Sequence, residues 1–263
     1  MNYITGKTSF GTMAPSAVSL GKFDGLHRGH QKLLQHILEQ KKNGLEATIF
    51  TFASNPTRML SGLSAQNILT NEERREMLAK AGVDNLLECP FVPEIAHMEP
   101  ERFIEDVLVG QLKMKFAAVG TDFHFGYQRR GDHAMLQKLA PKYGYTVEVV
   151  EKEQSHGRDI SSTYVKEALE AGDMELVNDL LGYRYFISGE VLHGRQIGRT
   201  LGMPTTNLVP STKKLLPPNG VYLSRTRIGE QAYYGVTNIG YKPTIGETFR
   251  GVETYLFDFD GDL

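Results

Sequence analysis

His27 and His30 stand three residues apart in SLGKFDGLHRGH (19–30), behind a glycine-containing turn and ahead of an amphipathic run. At the start of a helix, two imidazoles add side-chain donors to backbone N–H groups that lack intrahelical acceptors, a setting that suits phosphate. Such a pair can bind polyphosphate oxygens and stabilise charge as it builds on a departing pyrophosphate. When the attacking group is itself a phosphate, no general base is required, and nucleotidyl transfer becomes positioning plus charge stabilisation. Gly25 lets the backbone turn tightly, and Gly29 lets a ligand approach the chain. An ordinary helix cap and a zinc site are the competing readings, but no H-E-x-x-H and no paired Cys/His ligands accompany the histidines.

Two further stretches carry chemistry. In ISSTYVKEAL (160–169), Ser161, Ser162 and Thr163 offer hydroxyls at a fresh helix N-terminus, and Lys166 follows as a point charge for phosphate. Standing alone it would read as a Ser/Thr cap. In TDFHFG (121–126), Asp122 can accept from a ring N–H or a ribose hydroxyl, while Phe123 and Phe125 supply flat apolar faces for an aromatic ring or anchor the loop in the core. Arg129, Arg130 and Asp132 read as a solvated charged turn.

These residues need a scaffold, and the flanking sequence describes one. PSAVSLG (15–21) predicts a strand, QKLLQHILEQKKNG (31–44) a helix with Leu33, Leu34, Ile37 and Leu38 on one stripe, and ATIFTF (47–52) a strand. Together they form a βαβ unit, expected to be parallel with a right-handed crossover. Thr70 and Glu73 make a capping box for NEERREMLAKAG, NLLECPFV (85–92) is a strand, and EPERFIEDVLVGQLKMK (99–115) is a helix leading to the strand FAAVG (116–120). A short helix, the strand YTVEVVEK (145–152) and a helix from near Ser162 complete residues 1–182, read as a doubly wound, Rossmann-like parallel α/β domain. In such sheets ligands bind outside the carboxyl ends of the strands, where the histidine pair falls.

From Tyr185 the texture changes to short β-rich pieces, YFISGEVL, GVYLSRTRI, QAYYGVTNI and VETYLFDF, separated by Gly and Pro turns. Residues 183–263 are expected to form a small antiparallel β-barrel domain. The formal charge of −2, from 29 basic and 31 acidic residues, offers no excess to hold a polyanion, so small-molecule partners are expected and nucleic acid is not. A lone cysteine, Cys89, an opening without a signal-peptide core and no apolar run of membrane-spanning length point to the cytoplasm.

With these motifs in order, the chain resembles the prokaryotic bifunctional riboflavin kinase/FMN adenylyltransferases (FAD synthetases) of the nucleotidylyltransferase superfamily. GKFDGLHRGH resembles their H-x-G-H signature, TDFHFGYQRRGD their flavin-side loop and ISSTYVKEAL their phosphate motif. The resemblance implies AMP transfer from ATP to FMN with Mg²⁺. His27 and His30 would be catalytic, with ATP contacts from Gly21, Phe23, Asp24, Gly29, Ser161, Ser162, Thr163 and Lys166. Flavin contacts would come from Asn55, Asp122, Phe123 and Phe125. In the second domain, GEVLHGRQIGRTLGMPTTNL (189–208) resembles the kinase motif, which implies roles for Gly198 and Arg199 and places Mg²⁺ and ATP phosphate on Thr205 and Asn207. Glu253 matches the base for the riboflavin hydroxyl.

The sequence departs from the family pattern in places. TFASNP (51–56) has Asn55 where a histidine is usual, Lys166 and His124 stand where arginine is common, and Met203 and Tyr255 replace an aromatic and a histidine. The chain stops at Leu263, several dozen residues before the usual family end, so the riboflavin side of the kinase site is expected to be incomplete. A flavin- or nucleotide-binding protein without turnover, and a related nucleotidylyltransferase with another acceptor, are the alternative readings.

Overall fold

The computed structural model describes residues 1–11, 13–53, 66–191, 205–243 and 248–261. Strands β1 (Asn2–Thr5), β2 (Ser16–Leu20), β3 (Glu46–Phe52), β4 (Asn85–Cys89), β5 (Met114–Gly120) and β6 (Thr146–Val150) form one sheet. Their order is β1-β4-β3-β2-β5-β6, with every neighbouring pair parallel. Successive side chains face opposite ways: Ala17, Ile49, Leu86 and Ala118 enter one apolar cluster, and Val18, Phe50, Leu87 and Val119 enter the other. Both faces are therefore covered, as a parallel sheet requires. Helices α1 (Arg28–Glu39) and α2 (Asn71–Lys80) contribute Leu34, Ile37 and Leu78 to the first cluster. The short α3 (Pro93–Ala96), α4, which starts at Pro100–Arg102, and α5 (His133–Tyr143) cover the second face.

Helix α4 differs from the expected α-helix, since after one turn it continues as a π-helix over Phe103–Gln111. Leu112 N–H donates to Val107 O, and the widened turn places Phe103, Ile104, Val107, Leu108 and Leu112 all in the core. Strand β1 was not legible in its four residues, NYIT, which sit at the sheet edge half-exposed. The capping box forms as expected, with Thr70 Oγ accepting from Glu73 N–H and Glu73 accepting from Thr70 N–H.

Helices α6 (Ser162–Ala171) and α7 (Met174–Leu181) pack as a pair against Ile68 and Leu215. Beyond the left-handed cap at Gly182, the expected strand YFISGEVL is instead an extended strap with no regular structure over 184–190. Its Phe186 packs on the core under α1, its Tyr185, with Tyr183 just before it, on the α6–α7 cluster, and its Ile187 on Leu216, Ile239 and Val252. Strands β7 (Thr205–Leu208), β8 (Gly220–Ile228), β9 (Gln231–Pro243) and β10 (Thr248–Leu256) then form an antiparallel sheet in the order β7-β10-β9-β8. Among the described residues, no helix is long and apolar enough to cross a membrane.

Candidate active site

Strand β2 ends at the point where the sheet's order reverses, between β3 and β5, and the Gly21–His27 loop leaves it there. The loop is tightly wound. Phe23, Gly25 and Leu26 all have positive φ, at 52°, 84° and 42°. A Cβ on Gly25 would lie 2.9 Å from Ile68, so this position needs glycine for conformation and for space. Non-glycine residues in this region store strain that persists only where the surroundings hold it.

His27 occupies the cap position of α1, yet its side chain makes no capping hydrogen bond. The first-turn N–H groups thus remain available to an anion, and no acidic side chain stands in that turn. The rings of His27 and His30 stack with centroids 3.7 Å apart, and Phe23, fully buried, packs on His30 at 4.9 Å. The Nδ1 atoms of both histidines are buried without a hydrogen-bond partner among the described residues. Burial pushes His27 down to about 4, against a smaller opposing pull from Asp24. His30 is likewise lowered well below the ordinary imidazole range by burial, with His27 and Arg74 adding to it, so both rings are neutral at physiological pH. Gly29 also makes room for the His27 ring, since a Cβ there would sit 3.3 Å from His27 Nδ1.

Several expected nucleotide contacts have structural partners. Asp24, 2 % exposed, accepts from the N–H groups of Ile68 and Leu69 at 2.8 and 3.3 Å and pairs with Lys22 and Lys166. Gly21 donates its N–H to Phe50 O. Ser161 caps α6 through Tyr164 N–H, and Ser162 donates its hydroxyl proton to Asp24 O at 2.8 Å, bringing the α6 N-terminus against the loop. Thr163 is exposed. Lys166 donates to Gln66 O at 2.7 Å while contacting Asp24 at 3.2 Å.

The 121–132 segment folds back as a two-residue hairpin, His124–Phe125 against Gly131–Asp132. Phe123 and Phe125 stack at 5.5 Å, but Phe125 packs into the core against Phe103 and offers no free face; Phe123 is half-buried beside it. Asp122 is exposed and pairs with Lys152 at 2.9 Å. Asp132 is a helix cap, accepting from Met135 N–H, and Arg130 pairs with Glu99. Asn55, Gly198, Arg199 and Met203 lie outside the described residues.

In the second sheet, Asn207 stands opposite Glu253, and Thr205 lies two residues away on the same face. Thr205 Oγ donates to Glu253 Oε1 at 2.6 Å. A hydroxyl, an amide and a carboxylate at adjacent positions make an all-oxygen set of the type that a hard cation takes.

Sequence reasoning missed the groups that hold this site. Arg74, on α2, is buried, donates to Lys22 O at 3.1 Å and pairs with Glu88 at the end of β4, which also accepts from Tyr3 OH at 2.6 Å. Lys214, 1 % exposed, pairs with Glu73 at 2.6 Å beneath the Tyr185 and Phe186 rings. Only the capping box drew attention to Glu73, and nothing in the sequence paired it with a lysine 141 positions away.

The family model for FAD synthetase matches residues 11–164, and that for riboflavin kinase matches 181–263. The bifunctional riboflavin kinase/FMN adenylyltransferase of Escherichia coli (strain K12) is 39% identical over 249 residues, 94% of this chain and 79% of that protein. The Bacillus subtilis (strain 168) protein of the same name is 37% identical over 259 residues, 95% of this chain and 80% of its own. A crystal structure described as a macrolide-efflux protein from Streptococcus pneumoniae superposes with a TM-score of 0.88 at 29% identity, covering 100% of this chain and 86% of that one. With both family models matched in sequence order and such identity along nearly the whole chain, this protein belongs to the bifunctional riboflavin kinase/FMN adenylyltransferase family.

Proposed function

We propose that this chain transfers the AMP moiety of ATP to FMN, giving FAD and pyrophosphate. The observation that carries the reading is the stacked, neutral His27–His30 pair at the uncapped head of α1, with buried ring nitrogens lacking partners. An FMN phosphate oxygen attacks the α-phosphorus of ATP; the new P–O bond forms as the bond to the β-phosphate oxygen breaks, and pyrophosphate leaves. A neutral imidazole can donate its N–H to the phosphates without exchanging a proton, and with the α1 N–H groups it meets the charge on the leaving group. The nucleophile is already anionic, so no base is assigned.

On the second side of the loop, the α6 N-terminus, Ser161 and Thr163 clamp phosphate. Ser162 has its proton committed to Asp24 O, and among the described residues Lys166 has two partners for its three donors. Asp24 and Phe23 shape the loop from beneath, Asp122 and Phe123 stand on the flavin side, and Phe125 supports Phe123. Mg²⁺ carried on the triphosphate would neutralise part of its charge, bound mainly through phosphate oxygens and water.

Riboflavin phosphorylation is a second reading, favoured by the Thr205–Asn207–Glu253 constellation. Thr205 and Asn207 would hold Mg²⁺ and phosphate, and Glu253 would take the proton of a primary alcohol, which unlike a phosphate needs a base. Incubation with ATP, Mg²⁺ and either FMN or riboflavin, followed by flavin chromatography and pyrophosphate assay, tests both readings. His27→Ala is expected to lower FAD turnover by about 10²-fold or more while FMN binding persists. Near wild-type turnover in that variant excludes the assignment.

A further inference from the structure

Four of the five carbonyls from Lys22 to Leu26 accept a hydrogen bond from a side chain, each on a different element. Arg74 on α2 donates to Lys22 O (3.1 Å), Ser162 on α6 to Asp24 O (2.8 Å), Tyr183 between α7 and the strap to Gly25 O (2.6 Å) and Gln31 on α1 to Leu26 O (2.8 Å). In a planar trans peptide the carbonyl of one residue and the N–H of the next point opposite ways. Fixing these carbonyls therefore fixes the N–H groups of Phe23, Gly25, Leu26 and His27. The same bonds hold the three positive-φ residues, a conformation that a free loop would leave.

Two of the four bonds meet at the junction between the modules. Gln31 Nε2 also donates to Leu181 O at 2.7 Å, so a single amide ties the loop to the end of α7. Tyr183 follows two residues later, and burial together with Glu73 and Asp24 keeps its phenol protonated and donating. The strap beyond it is anchored in turn: Ser188 donates through N–H and Oγ to Glu73, and Tyr185 OH bonds Leu215 O. A parallel bridge, with Asn67 N–H to Lys213 O at 2.7 Å and Leu215 N–H to Asn67 O at 2.8 Å, joins that second anchor to the residues that Asp24 holds.

We propose that the junction between the two modules is a positioning element for adenylyl transfer, with Tyr183 and Gln31 as positioning residues that set the peptide orientations leading into His27. The proposal rests on the adenylyl-transfer reading and adds residues that touch no reacting atom.

The test is Tyr183→Phe in the full chain, which removes one hydroxyl, with Gln31→Met as a second variant. Tyr222→Phe is the control, since its hydroxyl bonds Pro218 O at 2.7 Å in the other sheet. The expected result is a fall in kcat for FAD formation of about 10-fold, with KM for FMN and the thermal midpoint as in the control, and faster hydrogen exchange over residues 22–30. Unchanged kcat in both variants, or a loss that only follows a smaller folded fraction, overturns the proposal.

If the wild-type protein makes no FAD, the transfer reading fails and the positioning is judged with ATP alone. Protection of residues 22–30 by ATP that weakens in Tyr183→Phe supports it. Equal protection in both proteins, or none in the wild type, overturns it.

Discussion

Desolvation decides the ionisation of the histidine pair. His27 keeps a neutral ring although Asp24 stands near enough to favour the cation, because burial at 6 % exposure outweighs that attraction. Between pH 6.5 and about 4 the unfolded chain binds a proton at this residue and the folded chain does not, so stability falls as the pH drops through that window and levels off below it. The shift corresponds to about 3 kcal/mol. Urea unfolding of the ligand-free protein at pH 7 and pH 4.5 is therefore expected to show a smaller acid loss in His27→Gln than in the wild type. Equal losses would exclude a buried neutral ring at this position. His30, lowered for the same first cause, contributes in the same direction.

At the scale of the element, the loop and the first turn of α1 act as one unit. The Gly29 position sits in a helical turn, where alanine is the better helix former, yet a Cβ there would press on His27 Nδ1 at 3.3 Å and Cε1 at 3.4 Å. Gly29→Ala is thus expected to keep or slightly raise the thermal midpoint while lowering kcat for FAD formation by about 10-fold, through a displaced ring. A melting curve and steady-state kinetics on the same preparation check this, and full activity would show that the ring tolerates the methyl. Helix α2 has a comparable double use: its capping box closes its own N-terminus, and its next residue, Arg74, holds Lys22 O of the loop.

Across the whole molecule, the Lys214–Glu73 pair fastens the second module's segment to the first domain. Both groups are almost fully buried, burial lowers the Lys214 pKa, and Glu73 opposes that shift. Removing one partner of such a pair leaves an uncompensated charge, so Lys214→Ala is expected to cost about 3–5 kcal/mol in urea unfolding. Replacing both, as Lys214→Met with Glu73→Gln, is expected to recover most of that loss. A double variant no more stable than Lys214→Ala would place the cost in packing around Tyr185 and Phe186 rather than in the stranded carboxylate.

Period and spacing by themselves determined the parallel domain, the β-rich second module, the Thr70–Glu73 box and the histidine pair, because each depends on residues within a few positions of one another. Ordered motifs extended that reading to the family. Local sequence could not show that Asp24 accepts from Ile68 and Leu69 N–H, or that Phe125 belongs to the core. Nor could it show that Tyr183 reaches Gly25 across 158 positions, or that the strap is not a strand. Those outcomes were decided by tertiary structure, since a buried polar group takes whichever partner the packed chain brings within reach.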